Sequence, residues 1–366
     1  MADRMDGNPA FREYREKAKR EHLPIYGNFE LTARCNLDCK MCYVHKTDAA
    51  DIRNKELTTA EWKEIFDAAI SAGMMRALLT GGECLLRDDF EELYRYLYDR
   101  GMLLAVNTNG LLLTEEKIAF LDRYRPERLQ ISLYGSCDDG YERVTGHREF
   151  DKIIRTLDLL EAYHIRPLIA LTVSRYMEED FVGLLRLLNQ RKLPYTCAYG
   201  LIESREDRKI EDYALSVEDK IKLKKIRRAL TGGRPHTPCI PAPLPGCPDG
   251  EPVHGMPCNA GNIAFSVTWE GKMALCLSFP EISADLRENG FDACWRYIRQ
   301  RADEVLQPAD CVGCVYRSHC EFCPAKRFDG LFGGRCRKEL CAETVKLYEA
   351  GMFSLDEKTP DGESCP

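Results

Sequence analysis

Long hydrophobic runs are missing from this 366-residue sequence. No apolar stretch approaches the roughly 20 residues that a membrane-spanning helix needs, so no membrane segment is predicted. The first 22 residues, MADRMDGNPAFREYREKAKREH, are charged throughout and lack the apolar segment of a secretory signal. We therefore expect a soluble, cytoplasmic protein.

An excess of positive charge is missing as well. The chain has 52 lysine and arginine residues against 59 aspartate and glutamate residues, which gives a net charge of −7. Proteins that bind nucleic acid usually concentrate basic residues in a patch or stripe, and both signs are spread along this chain. The composition therefore argues against a nucleic-acid partner.

Cysteine, in contrast, is abundant, with 18 residues in the chain. Small secreted proteins use cysteines as disulfides because their cores are small, but 44% of this long chain is hydrophobic. In a reducing compartment, clustered cysteines more often bind metal or take part in redox chemistry. The two groups of cysteines, near residue 40 and in the last third of the chain, are therefore the first candidates for functional sites.

Short β-prone runs alternate with amphipathic helical stretches up to about residue 202. Such alternation predicts an α/β fold with a parallel sheet and right-handed helical crossovers. Six units, rather than eight, predict an open, partial (β/α)6 TIM-like barrel. The predicted strands lie in NFELTA, RALLTGG, LLAVNTNG, RLQISLYG, PLIALTVS and YTCAYGLI.

Polar motifs follow four of these strands. The cysteines follow the first strand, GGE (residues 81–83) the second and NTNG (residues 107–110) the third, while Ser132 and Tyr134 close the fourth. Parallel α/β folds place their active sites at the carboxyl ends of the strands. We therefore expect all four motifs to meet at one rim of the barrel.

Composition also divides the chain into segments. Charged and then Pro/Gly-rich sequence after the barrel indicates a bridge, and cysteines among short strands indicate a second domain. The predicted segments are an N-terminal helical extension (1–27), the barrel (28–202), the bridge (203–257), a Cys-rich domain (258–350) and a flexible tail (351–366).

The first group of cysteines contains Cys35, Cys39 and Cys42, in CNLDCKMC, without a fourth cysteine nearby. Four cysteines hold the clusters of ordinary electron-transfer proteins, whereas three leave one iron of a [4Fe–4S] cluster open. An open metal position is typical of a catalytic rather than a structural site. Zinc, with His45 as a fourth ligand, is the alternative that the spacing leaves open.

The C-x3-C-x2-C spacing resembles that of the radical S-adenosylmethionine (radical SAM) superfamily, and GGE, NTNG and QISLYG follow in that superfamily's order. The resemblance implies that Cys35, Cys39 and Cys42 bind a [4Fe–4S] cluster whose open iron chelates S-adenosylmethionine. In relatives, an electron from the cluster cleaves the sulfonium, and the resulting 5′-deoxyadenosyl radical abstracts hydrogen from a substrate.

The GGE motif should then bind the amino-acid part of S-adenosylmethionine. Glu83 and Gly82, with Gly81 beside them, should hold the methionyl ammonium, because a carboxylate binds an ammonium through charge-assisted hydrogen bonds. Cys84 follows where relatives usually carry proline. Its thiol could donate hydrogen to a substrate radical, as an epimerase requires, or could fill a small interior space.

Three further residues are implied at the cofactor. Met41 matches a position that packs near the adenine, and Ser132 matches one that approaches the ribose or the carboxylate. Thr108 should face the reacting space. For Ser132 and Thr108, hydrogen bonding to the backbone of the rim is the open alternative.

The second group of cysteines resembles the SPASM domain of peptide-modifying radical SAM maturases, which carries two auxiliary [4Fe–4S] clusters. The last cysteine of its C-x2-C-x5-C-x2-C run is preceded by two residues rather than the usual three. Some ligands have alternatives: Cys239 or no protein ligand could replace Cys247, and Cys336 could replace Cys341. A zinc ribbon is the alternative to the two clusters. The implied ligands are Cys258, Cys276, Cys323 and Cys247 for one cluster, and Cys311, Cys314, Cys320 and Cys341 for the other.

The resemblance implies an oxidoreductase that modifies a ribosomally synthesised peptide by crosslinking, dehydrogenation or epimerisation. Sulfatase maturases carry aspartate after the second SPASM cysteine, whereas Leu277 follows Cys276, so sulfatase maturation is not expected. A small-molecule dehydrogenase or epimerase is the alternative enzyme. A structural zinc protein or an iron–sulfur electron carrier is the alternative outside enzymes.

Partners follow from the same resemblance. The cluster needs an electron donor such as flavodoxin or ferredoxin. Only 34 residues precede Cys35, too few for the leader-binding domain of many peptide maturases. We therefore expect a peptide's leader to be recognised by a separate protein or by another surface.

Overall fold

The computed structural model describes residues 9–44, 49–202, 209–232, 253–256, 258–307, 314–320, 323 and 338–353. Within these residues, a sheet of nine strands is the largest element of the fold. None of the helices in the described segments combines the length and the apolar character that crossing a bilayer requires.

Six parallel strands form the barrel part of the sheet, in the order of the chain. Each pairs with the next, as Phe29 with Leu79 in the first pair and Ala170 with Thr196 in the last. This order confirms the predicted partial (β/α)6 barrel. The strands are β1 (Tyr26–Glu30), β2 (Arg76–Thr80), β3 (Leu103–Thr108), β4 (Arg128–Ser132), β5 (Leu168–Thr172) and β6 (Tyr195–Ala198).

Helices follow the strands where the amphipathic stretches predict them. The helix Thr59–Ser71 begins with a capping box, in which Thr58 and Glu61 each bind the other's backbone N–H. The helices are α1 (Pro9–Glu21), α2 (Ala49–Lys55), α3 (Thr59–Ser71), α4 (Phe90–Tyr98), α5 (Glu115–Arg123), α6 (Asp138–Thr145), α7 (Phe150–Ala162), α8 (Phe181–Gln190), α9 (Val217–Thr231), α10 (Leu286–Glu304) and α11 (Lys338–Glu349).

The main core lies between the sheet and its helices. Phe29 of β1 meets Trp62 and Phe66 of α3 edge to face, with ring centroids 6.1 and 5.0 Å apart. Such edge-to-face contacts add to the stabilisation that burial of the rings provides. Because strand side chains alternate, polar residues such as Asn28 and Gln130 lie on the other face of the sheet.

The Cys-rich C-terminal region continues the barrel sheet. The strand β8 (Ala264–Val267) pairs in parallel with β1, and β9 (Lys272–Cys276) and β10 (Phe279–Asp285) extend the sheet as antiparallel strands. A two-stranded sheet pairs β7 (Val253–His254) with β11 (Leu306–Gln307). The sheet therefore runs on into the segment that composition sets apart.

Ion pairs tie this region to the barrel helices. Arg287, at the start of α10, donates to the Glu61 carboxylate of α3 at 2.6 Å. This hydrogen bond lowers the pKa of Glu61 to about 2. On the other side, Lys220 of α9 donates to Glu343 of α11 at 2.6 Å.

Candidate functional site

The cysteine loop (residues 31–44) leaves the carboxyl end of β1 and is held against the end of β2. The Gly82 N–H donates to the Thr32 carbonyl at 2.8 Å, and the Glu83 N–H donates to the Arg34 carbonyl at 2.8 Å. Hydrogen bonds between the two backbone segments thus continue beyond the ends of β1 and β2. They fix the backbone immediately before Cys35.

Glycine is required at the point where β2 ends because the two backbones approach so closely. A Cβ on Gly82 would lie 2.4 Å from the Arg34 carbonyl oxygen. Gly81 has a φ of +145°, and a Cβ on it would lie 2.3 Å from the Thr32 carbonyl oxygen. The two glycines of GGE therefore permit the contact with the cysteine loop.

Glu83 is buried, with 1% of its surface exposed. Its carboxylate accepts from the Asn109 N–H at 2.7 Å, the Thr108 hydroxyl at 2.8 Å and the Leu85 N–H at 3.0 Å. Burial raises the pKa of Glu83, and the two N–H donors oppose that rise. These bonds join the ends of β2 and β3. The Thr108 hydroxyl, which is expected to face the reacting space, donates to Glu83 at the rim in this structure.

Asn109 links this carboxylate to the first cysteine. Its side-chain amide donates to the Asn36 side-chain oxygen at 2.7 Å and lies 3.9 Å from Cys35 Sγ. Its own oxygen accepts from the Leu111 N–H at 3.0 Å, which orients the amide. The sequence predicts NTNG at the rim but does not single out Asn109. Its signal was the position directly after a strand that ends at the rim.

The middle of the cysteine loop docks on the carboxyl end of α6. The Asp38 N–H donates to the Thr145 carbonyl at 2.9 Å, and the Lys40 N–H donates to the Val144 carbonyl at 2.9 Å. These two bonds flank Cys39. The last carbonyls of the helix, which lack partners within it, are thereby satisfied by the loop.

A buried ion-pair network supports the loop from beneath. Arg34 donates to both oxygens of Glu56, at 2.8 and 3.0 Å, and Arg87 lies 3.7 Å from the same carboxylate. Arg87 also binds Asp89 with two hydrogen bonds, at 2.8 and 2.7 Å. No local pattern pairs these residues, so the sequence does not predict the network.

Two tyrosines lie beside Cys39. Burial raises the pKa of Tyr134, and the Cys39 thiolate adds to the rise, while hydrogen bonds from the Ser132 and Thr172 side chains oppose it. Ser132, expected near the ribose or carboxylate of the cofactor, thus faces Tyr134 in this structure. Burial and the Cys39 thiolate raise the pKa of Tyr141 in the same way.

The third cysteine borders a small apolar cluster. Trp269, from the turn between β8 and β9, packs with Ala33, Val44 and Ile52, and Cys42 lies against this group. Trp269 is 2% exposed. The C-terminal region thus contributes a wall of the cysteine loop.

Met41 and Cys84 both lie in the main core. Met41, expected near the adenine, is 5% exposed, and Cys84 is fully buried. The Cys84 thiol donates toward the Asn107 carbonyl at 3.5 Å. Such burial is what an interior filler would show, and the role of Cys84 as a hydrogen donor stays a prediction.

The three thiols of the cysteine loop suit a [4Fe–4S] cluster, and zinc with His45, which lies outside the described residues, stays the alternative. Cys35 is exposed, and Cys39 and Cys42 are half-buried. No three His, Cys, Asp or Glu side chains among the described residues are gathered closely enough to hold one ion. A cubane spreads its thiolates more widely, because each binds a different iron. Three thiols and a buried, unsatisfied hydroxyl, that of Tyr141, suit such a group.

Two of the expected C-terminal ligands, Cys276 and Cys341, lie near the ends of elements. Cys276 is the last residue of β9, and its sulfur accepts from the Ser278 N–H at 3.4 Å. Cys341 lies in the first turn of α11. Cys258, Cys314, Cys320 and Cys323 are half-buried. The expected ligands Cys247 and Cys311, and the alternatives Cys239, Cys336 and His45, lie outside the described residues.

Residues 29–188 match the sequence profile of the radical SAM superfamily. The barrel, the order of the motifs at its rim and this match agree with one another. Residues 29–188 are therefore a radical SAM domain.

Curated relatives match this chain over different lengths. Fe-coproporphyrin III synthase of Methanosarcina barkeri is 30% identical over 52% of this chain and 47% of its own length. AdoMet-dependent heme synthase of the same organism is 27% identical over 82% and 91%. PqqA peptide cyclase of Bradyrhizobium diazoefficiens is 32% identical over 40% of each. The chain thus spans less than half the length of two of these relatives and most of the third.

Solved structures share the fold over most of the chain. One is anSMEcpe with bound AdoMet and the Kp18Cys peptide, with a TM-score of 0.63, 15% identity, and 89% of this chain and 96% of that chain covered. Another is Streptococcus suis SuiB bound to S-adenosylmethionine, with a TM-score of 0.59, 14% identity, and 83% and 74% covered. At these identities the likeness shows a common fold.

Proposed function

We propose that this enzyme reductively cleaves S-adenosylmethionine at a [4Fe–4S] cluster held by Cys35, Cys39 and Cys42, and abstracts hydrogen from a substrate. The observation that carries the proposal is the junction between the cysteine loop and Glu83. The backbone before Cys35 is bonded to the GGE motif, and Asn109 joins the Glu83 carboxylate to Cys35. A sulfonium amino acid bound by the cluster and by Glu83 would be held beside the cysteine loop.

The chain's own residues would position the cofactor. Three hydrogen bonds from the protein orient the Glu83 carboxylate, and its negative charge would bind the methionyl ammonium. Gly82 would add its carbonyl beside it, next to Gly81. Met41, Thr108 and Ser132 keep their proposed places around the adenine, the reacting space and the ribose.

We also propose two auxiliary [4Fe–4S] clusters in the C-terminal region. The spacing of the cysteines supports these clusters. So do the positions of Cys276 at the end of β9 and of Cys341 in the first turn of α11. The proposed ligands are Cys258, Cys276, Cys323 and Cys247 for one cluster, and Cys311, Cys314, Cys320 and Cys341 for the other.

The proposed substrate is a ribosomally synthesised peptide, and the proposed reaction is crosslinking, dehydrogenation or epimerisation. Relatives named PqqA peptide cyclase and a shared fold with an enzyme solved with a bound peptide support this choice. A flavodoxin or ferredoxin would supply the electron, and a separate protein could present the peptide. A reducing cytoplasm would keep the cysteines as thiols.

One observation favours a small-molecule substrate as the second candidate. The relative that aligns over 91% of its own length is named AdoMet-dependent heme synthase, whereas the peptide cyclase aligns over 40%. A tetrapyrrole would then take the place of the peptide at the same radical site.

Anaerobic reconstitution tests the proposal. The wild-type protein should form 5′-deoxyadenosine from S-adenosylmethionine and a strong reductant, and replacing Cys35, Cys39 and Cys42 by Ala should abolish this. Cys137→Ala, which removes an exposed thiol outside the loop, is the matched control. Cleavage that persists without the three cysteines would refute the proposal.

The substrate class is separated by isotope transfer. A deuterated peptide encoded beside the gene should pass deuterium into 5′-deoxyadenosine if peptides are the substrate. Fe-coproporphyrin III deuterated on its side chains should do so if the second candidate is right.

A further inference from the structure

We propose that Tyr141 is a positioning residue for the cluster, and that its hydroxyl donates a hydrogen bond to a cluster sulfur at Cys39. The inference rests on the proposed cluster in the cysteine loop. It concerns how the protein sets the reduction potential of that cluster, which the cleavage proposal leaves open.

The first observation is an unsatisfied buried donor. Tyr141 is fully buried, and its hydroxyl has no hydrogen-bond partner among the residues that the structure describes. A buried hydroxyl without a partner is destabilising, so native proteins rarely keep one without a reason. The neighbouring tyrosine differs, because Tyr134 faces the polar side chains of Ser132 and Thr172.

The second observation is the position of Tyr141 on α6, whose last two carbonyls accept hydrogen bonds from the Asp38 and Lys40 N–H groups on either side of Cys39. Among charged groups, the Cys39 thiolate acts most strongly on its hydroxyl and, after burial itself, is the main reason that the pKa of Tyr141 is raised. The Cys35 thiolate also raises the pKa of Tyr141, by a smaller amount. The unsatisfied donor therefore lies within the electrostatic reach of two proposed cluster ligands.

The third observation is that the backbone around Tyr141 is fixed. The Thr145 hydroxyl, one turn later, donates to the Tyr141 carbonyl at 2.8 Å, and the Thr145 carbonyl accepts from Asp38 beside Cys39. A Cβ on Gly135 would lie 2.4 Å from the Tyr141 nitrogen, so the preceding turn closes tightly on this residue. The helix that carries the hydroxyl is thus hydrogen-bonded to the loop that carries Cys39.

The chemical consequence follows from charge. Reduction adds negative charge to the cluster and its sulfurs, and a hydrogen bond to a sulfur stabilises that charge. The Tyr141 hydroxyl therefore raises the reduction potential and makes the cluster easier to reduce. A phenyl ring of the same shape, without the hydroxyl, lowers it.

The test is an EPR-monitored redox titration of the reconstituted full-length protein. The signal that disappears in Cys35→Ala protein identifies the cluster of the cysteine loop. For Tyr141→Phe we expect the equilibrium constant for reduction of this cluster to fall about tenfold, which is about 59 mV for one electron. Tyr94→Phe is the matched control, because Tyr94 is fully buried and its hydroxyl donates to the Tyr124 carbonyl, away from the loop.

An unchanged potential in Tyr141→Phe protein with normal iron content would overturn the inference. If that variant failed to load iron, 3-fluorotyrosine at position 141 would decide, because a more acidic phenol donates more strongly and should raise the potential. A potential that fails to rise would also overturn it. These readouts are separable from the proposed function, because they need the cluster but not cleavage of S-adenosylmethionine.

Discussion

The two groups of cysteines are supported by different amounts of protein. The cysteine loop borders the main core and is bonded to β2, to α6 and to Glu56. Cys276 lies at the edge of a smaller apolar cluster. Among the described residues, its five buried members are Leu275, Phe279, Ile282, Ala302 and Val305. The loop is therefore shaped by contacts that exist without metal.

The difference indicates what a cluster would contribute at each place. A cluster in the cysteine loop would occupy a site that the fold prepares, so its loss should cost activity more than structure. A cluster near Cys276 would add to a small apolar cluster, and metal binding there would supply part of the folding free energy. The predictions below test how far the loop depends on protein contacts alone.

The largest effect is expected from Gly82→Ala. The added Cβ would lie 2.4 Å from the Arg34 carbonyl oxygen, so the backbone before Cys35 must shift. We expect stability to fall by about 3 kcal/mol and cleavage of S-adenosylmethionine to fall roughly 100-fold. Thermal unfolding and the rate of 5′-deoxyadenosine formation measure the two effects.

Gly101→Ala is the control for this change. Gly101 has a positive φ, of +77°, and a Cβ there meets open space. It should cost about 1 kcal/mol for the left-handed backbone and leave cleavage unchanged. Equal loss of cleavage in both variants would show that general destabilisation, rather than the contact with the loop, is responsible.

The barrel and its rim were predictable because their signals are local. Alternation of strand and helix patterns fixes the order of the parallel sheet, and the motifs after each strand then share one rim. GGE was predictable as a binding motif. The close packing against the cysteine loop that requires its two glycines was not predictable. That packing depends on where the Arg34 carbonyl lies in space.

Contacts between distant parts of the chain were not predictable. Arg34 and Arg87 meet at Glu56, and Trp269 meets Ala33, without any spacing rule that pairs these residues. The pairing of β8 with β1 is a further contact of this kind, which the composition of the predicted C-terminal domain does not indicate. Composition marks where a chain changes character, but strand pairing across such a boundary is a long-range property.

A smaller effect is expected from Glu56→Gln. The change keeps the shape of the side chain but leaves Arg34 and Arg87 facing a neutral amide in a setting where both are at most 12% exposed. Loss of one partner from a buried ion pair typically costs about 3 kcal/mol. Urea unfolding should show this loss, and iron in the cysteine loop should fall with it, since Arg34 directly precedes Cys35.

Glu92→Gln is the matched control for Glu56→Gln. Glu92 pairs with Lys63 at the surface, where its side chain is 57% exposed. Such a pair contributes less than about 1 kcal/mol, so stability should barely change. A similar loss in both variants would mean that the network beneath the loop does not behave as a buried one.

The smallest effect is expected from Trp269→Phe, which tests a contact between the C-terminal region and the cysteine loop. Phenylalanine keeps an aromatic wall against Val44 and Cys42 but fills less space, so stability should fall by about 1 kcal/mol. The looser wall should let a chelator remove iron from the loop faster, while the remaining iron is lost at the wild-type rate. Trp295→Phe, which lies against Phe265 rather than the loop, should change neither rate. If Trp269→Phe released C-terminal iron instead, the hairpin would be supported by the loop rather than the loop by the hairpin, and the comparison between the two regions would reverse.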